Sequence, residues 1–121
     1  MHVVTIGRED APAMLLLHGA AACDCFAGQY DCLSAHFRLF IPHLPGAGEA
    51  VGEIYDRETT LRDLTALIET LPRPLCLMGH SIGGELAVAL VARGPERFSR
   101  AVFLSPWVCA TRVGCNRCER L

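Results

Sequence analysis

A chain of 121 residues, half of them hydrophobic and a fifth charged, has the size and balance of one globular domain with a single core. Its formal net charge of −2 gives no electrostatic reason to expect nucleic acid or an anionic membrane as partner. All eleven basic residues are arginine, a composition bias that carries no functional message.

Taken in chain order, His2 to Ile6 is β-branched and weakly alternating, which predicts a strand. Gly7 to Pro12 is a polar connection. Ala13 to Leu17 is a continuous apolar run, the mark of a strand buried on both faces. Phe26, Tyr30, Leu33 and Phe37 recur at helical spacing and predict a helix over 26–37. Leu39 to Ile41 is a short buried strand closed by Pro42, and Leu44 to Gly52, "LPGAGEAVG", is a glycine-rich loop. Leu61, Leu64, Leu67, Ile68 and Leu71 form one stripe of a helix over 59–71, with Thr59 or Thr60 as N-cap. Leu75 to Met78 predicts a strand, Ile82 to Ala92 a helix stopped by Gly94 and Pro95, and Ala101 to Leu104 a last strand. Strand and helix alternate throughout, which predicts an α/β fold of parallel strands joined by right-handed crossovers, with helices on both faces.

Seven cysteines leave at least one thiol without an intrachain partner. Cys32 and Cys76 read as small hydrophobes and Cys23 and Cys25 as loop residues; the count fits a reduced intracellular protein. Cys115-x-x-Cys118 is half of a zinc pattern with no second pair at ligand spacing, so no metal and no cofactor are expected. Ala13 to Leu17 followed by "AAAC" at Ala20 to Cys23 has the outline of a lipoprotein leader. Glu9 and Asp10 offset Arg8, however, and His18 and Gly19 interrupt the apolar run. A buried strand explains the stretch, no segment is long enough to span a bilayer, and the expected location is cytoplasmic.

Three segments carry chemistry. "LLLHG" at Leu15 to Gly19, "IPHLPGAGEA" at Ile41 to Ala50 and "GHSIGG" at Gly79 to Gly84 stand in the order, and at the spacing, of the α/β-hydrolase family. They resemble its oxyanion strand, its glycine-rich loop and its nucleophile elbow. "RAVFLSP" at Arg100 to Pro106 resembles the following strand. The resemblance covers roughly residues 2–107, leaving 108–121 as an irregular, cysteine-rich tail. It implies a mostly parallel sheet of about five strands, the N-terminal half of that fold. It also implies a serine hydrolase acting on an ester, thioester or similar small acyl substrate.

In that resemblance Ser81 is the nucleophile, and the N–H groups of Ile82 and Ala20 are the oxyanion donors. His18 and Gly19 shape the oxyanion loop. Gly79, Gly83 and Gly84 let strand and helix meet closely, and the His80 side chain should point away from the Ser81 hydroxyl. Read without the resemblance, Ser81 would simply cap a helix, and Pro45, Gly46 and Gly48 would only make a turn.

The family's triad runs Ser, then Asp or Glu, then His. No histidine follows Ser81, and the acids after it are Glu85, Glu96 and Glu119. His43, at a strand end on the correct edge of the sheet, is the one spare candidate for a base. Family domains commonly run to about twice this length, so the tail resembles the end of a truncated or shifted reading frame. The expected chain is an incomplete site, poorly active alone, with an exposed apolar edge at Ala101 to Leu104 open to self-association or a complementing chain. Two alternatives compete with this reading. One is a non-catalytic fragment or small binding protein. The other is an acyltransferase, suggested by "GHSIGGE", although Gly84 before Glu85 spoils the "G-H-S-x-G-E" pattern and "LLLHG" has no place in it.

Overall fold

A computed structural model describes residues 1–107; the tail 108–121, with the Cys115 and Cys118 pair, lies outside the described residues. Five strands form one sheet: β1 (Val3–Ile6), β2 (Ala13–Leu17), β3 (Arg38–Pro42), β4 (Leu75–His80) and β5 (Phe98–Leu104), in the order β1-β3-β2-β4-β5. Three helices accompany them: α1 (Tyr30–Ser34), α2 (Arg57–Thr70) and α3 (Ile82–Arg93).

β2 is the centre of the molecule, and all five of its residues are buried. Because side chains alternate across a strand, Ala13, Leu15 and Leu17 enter a core with Leu61, Leu64 and Ile68 of α2 and Leu86, Ala87 and Leu90 of α3. Met14 and Leu16 enter a second core on the other face with Phe26, Leu39 and Ile41, flanked by Tyr30, Leu33 and Phe37. Helices therefore cover both faces, and the unbroken apolar run of β2 is explained by its two-sided burial.

Four local expectations change. β1 runs antiparallel to β3, because the six residues from Gly7 to Pro12 are too few for a parallel crossover, which takes a dozen or more. The helix expected over 26–37 is a 3-10 turn at Ala27–Gln29 leading into the short α1; Gly28 in its first turn weakens a longer helix. α2 starts earlier than its apolar stripe: Asp56 is the N-cap, its carboxylate accepting the Thr59 N–H at 2.8 Å, and an all-polar first turn hid that start. β4 and β5 are longer than their apolar cores, because pairing carries β4 to His80 opposite Leu104 and draws Phe98 to Arg100 into β5. β5 is a sheet edge, bonded to β4 alone among the described residues, and Val102, Phe103, Leu104 and Trp107 are exposed beside it. No described helix is long and apolar enough to cross a membrane.

Candidate active site

β2 lies between β3 and β4, so the loops leaving the C-terminal ends of β2 and β4 diverge and open a crevice, where parallel α/β sheets bind their ligands. Ser81 stands at this point, between the last residue of β4 and the first of α3. Its backbone has φ 54° and ψ −118°, a conformation costly for a residue with a Cβ, of the order of 1–3 kcal/mol. The strain is held by neighbours. The Ser81 N–H donates to the Leu104 carbonyl at 3.0 Å, and the Ser81 carbonyl accepts from the N–H groups of Glu85 and Trp107, each at 3.0 Å. The hydroxyl makes no capping bond to α3, which removes the plain N-cap reading.

The approach of α3 to the sheet depends on two missing side chains. A Cβ on Gly79 would run into the Gly83 carbonyl, and a Cβ on Gly83 into the carbonyls of Leu17 and His18. Gly84 faces Pro106, whose Cα would lie 3.0 Å from an added Cβ. Gly19 abuts the elbow itself, since a Cβ there would stand 3.6 Å from the Ser81 Cβ.

His18 is buried and fully committed. The Leu44 N–H donates to its Nε2 at 2.9 Å, so Nε2 is unprotonated; Nδ1 therefore carries the proton and donates to the Gly19 carbonyl at 2.6 Å. Burial holds the imidazole below its ordinary pKa of 6.5, reinforced by His43 and opposed by the Gly19 bond and Asp24. The Gly19 carbonyl also accepts the Ala22 N–H at 3.3 Å, in a tight turn with Ala21 at φ 52°. Two donors on one side of the Gly19–Ala20 peptide turn its N–H, that of Ala20, to the opposite side, because the peptide is planar and trans. Among the described residues the N–H groups of Ala20 and Ile82 have no acceptor in the protein. Both residues border one cavity of about 260 Å³, together with Ala21, Leu44, Pro45 and Tyr55.

His80 lines a second cavity of about 410 Å³ with Cys25, Phe26, Met78 and Leu104, and its Nδ1, buried without a partner among the described residues, lies against Gly19, 3.0 Å from where a Cβ on that glycine would stand. His43 does not serve the serine. Its ring rests on His2 with centroids 4.7 Å apart, and its Nδ1 accepts the Glu49 N–H at 3.0 Å. It follows β3, which the whole of β2 separates from β4, so the spare-base expectation fails on position. His2 and His36 are exposed. No histidine hydrogen-bonds the Ser81 hydroxyl among the described residues. Glu85, one turn along α3, is held by Arg57, whose Nε and Nη2 reach its Oε1 at 2.9 and 2.6 Å; Arg57 also binds Glu58, and Glu58 binds Arg93. No cluster of potential metal ligands occurs among the described residues. The contributions of Leu44 and Tyr55 had no sequence signal, because each acts through one contact set by loop packing.

These features define a class, and comparison with known proteins agrees with it: the chain belongs to the α/β-hydrolase fold family, whose profile matches residues 12–119. Among its relatives, the pimeloyl-(acyl-carrier protein) methyl ester esterase of Nitrosomonas europaea is 30% identical over 113 residues, 93% of this chain and 43% of that protein. The magnesium-chelatase 30 kDa subunit of Rhodobacter capsulatus is 35% identical over 77% of this chain and 34% of its own length. Mouse (Mus musculus) monoglyceride lipase is 30% identical over 77% of this chain and 34% of its own. Among solved structures, the thioesterase domain from the curacin biosynthetic pathway superposes with a TM-score of 0.78 at 24% identity, over 89% of this chain and 41% of that one. The chain thus spans less than half the length of the curated relatives it matches.

Proposed function

We propose that this chain carries the nucleophile half of a serine acyl hydrolase, with Ser81 as nucleophile and the N–H groups of Ile82 and Ala20 as oxyanion donors. The observation that carries this reading is the strained, non-capping Ser81 beside two unpartnered N–H groups. Esterases and lipases among the relatives favour an ester or thioester as substrate. The Ser81 oxygen attacks the acyl carbon, and negative charge gathers on the carbonyl oxygen between the two N–H groups, at the positive end of α3. The bond to the alcohol or thiol then breaks and leaves an acyl-serine, which water hydrolyses. His18 serves as a positioning residue, since its two hydrogen bonds leave it no free nitrogen to accept the serine proton.

The Ser81 hydroxyl makes no hydrogen bond to a base among the described residues, so the chain alone acylates slowly and turns over poorly. Added imidazole, a free base, tests this directly. On incubation with p-nitrophenyl acetate, intact-mass measurement should show slow acetylation of wild-type protein, faster with imidazole and absent in Ser81→Ala. Equal acetylation of the Ser81→Ala protein would sink the nucleophile assignment. Turnover at ordinary enzyme rates without imidazole would sink the claim of a missing base. The same absence of a base favours the second reading, a non-catalytic binding protein, in which Ser81 is never acylated.

A further inference from the structure

The cavity of about 260 Å³ beside Ala20 and Ile82 has a chemistry of its own. Leu44, Pro45, Ala21 and Ile82 present hydrocarbon to it, and its one imidazole, that of His18, has both nitrogens occupied. The one other polar side chain in its lining is the phenol of Tyr55. An ester held with its carbonyl oxygen at the two N–H groups has two arms. The alcohol arm must leave and be protonated, whereas the acyl arm stays on Ser81 until water removes it. A mostly apolar space beside both N–H groups suits a hydrocarbon arm, and the acyl arm is the one that stays there through both steps. Its volume lies just below the range of about 300–1,000 Å³ typical of pockets for drug-sized ligands, which suits a short acyl group.

Tyr55 is the largest side chain in the lining and the only one supplied by the segment entering α2. Asp56, the next residue, caps α2, which fixes where the Tyr55 backbone stands. Tyr55 is half-buried and packs against the core of α2 and α3, while its neighbour Ile54 is 93% exposed. Burial, and then the Glu85 carboxylate, raise its phenol pKa, so the wall it presents is neutral.

We infer that this cavity is the acyl site of the proposed hydrolase and that Tyr55 sets its length limit, so that the substrates are esters or thioesters of short, uncharged acyl groups. The inference rests on the assignment of Ser81 as nucleophile.

The test is acylation of Ser81 by p-nitrophenyl acetate, butyrate and hexanoate in imidazole, followed by intact mass, with Ser81→Ala as blank. Wild type should acylate with acetate and butyrate at least about tenfold faster than with hexanoate, since one methylene in a hydrophobic pocket already discriminates by that much. Tyr55→Ala should raise the hexanoate-to-acetate ratio by about tenfold, while Tyr55→Phe, which keeps the ring, should leave it unchanged. Tyr55→Leu, which keeps an apolar filler in the core, should raise the ratio in the same direction if Tyr55→Ala does not fold. Hexanoate acylating wild type as fast as acetate, or a ratio unmoved in both Tyr55→Ala and Tyr55→Leu, overturns the acyl-site assignment with Ser81 intact. Failure of acetate itself to acylate Ser81 overturns both assignments.

Discussion

Replacing His18 by Asn probes the loop joint on which the oxyanion geometry depends. The Asn amide can keep a donor near the Nδ1 position and so hold the Gly19 carbonyl, but it cannot reach the Leu44 N–H now bonded to Nε2. A buried donor left without a partner costs about 1–3 kcal/mol, and the smaller side chain leaves a void, so above neutral pH the loss should be about 2–3 kcal/mol. The pH dependence has a definite sign. Burial holds the folded-state pKa of His18 below the ordinary 6.5, so above that value the imidazole is neutral in both states and adds no pH dependence. As pH falls through 6.5, the unfolded chain takes the proton and the folded chain does not. Wild-type stability should then drop by up to about 1.4 kcal/mol per pH unit relative to the Asn variant, until the lower folded pKa is reached. Urea denaturation of both proteins, in one buffer above 6.5 and one below, reads the difference directly. The gap should narrow in acid. A constant gap would refute the linkage, and a widening gap would mean that the folded imidazole is charged, contrary to the tautomer its hydrogen bonds require.

Three further outcomes follow from the geometry. Ser81→Gly should stabilise the fold by about 1 kcal/mol or more in urea denaturation, because glycine tolerates φ 54° and ψ −118° without strain; a loss of stability would show that the backbone is not strained there. Gly83→Ala should cost about 3 kcal/mol or abolish soluble expression, since its methyl group meets two carbonyls at the end of β2; a neutral change would place α3 further from the sheet. The exposed edge of β5, with Val102, Phe103 and Leu104 uncharged and accessible, should make the chain self-associate in sedimentation velocity, and Val102→Lys should shift it toward monomer. A monomeric wild type at high concentration would contradict that expectation.

Much of this protein was legible in its residues. β2 matched its apolar run at Ala13 to Leu17, α3 began at Ile82 as expected, and the glycines around Ser81 already implied a close strand–helix turn. Such features are written locally: a two-sided buried strand needs an unbroken apolar run, and a turn of that tightness needs missing side chains. The helix start at Asp56 and the brevity of α1 were less legible, because polar caps and a weak first turn carry no apolar period.

What the tertiary structure alone decided concerns direction and contact. The antiparallel course of β1 depends on which strand it pairs with. His18 and His43 both follow strand ends, yet one is locked between two loops and the other rests on His2. Tyr55 and Ile54 are adjacent in a polar stretch, and only the packing of the loop before α2 sends one into the cavity and the other into solvent. Periodicity reports which face of an element is apolar. Which loop a side chain meets depends on the order of strands in the sheet, where residues far apart in the chain become neighbours.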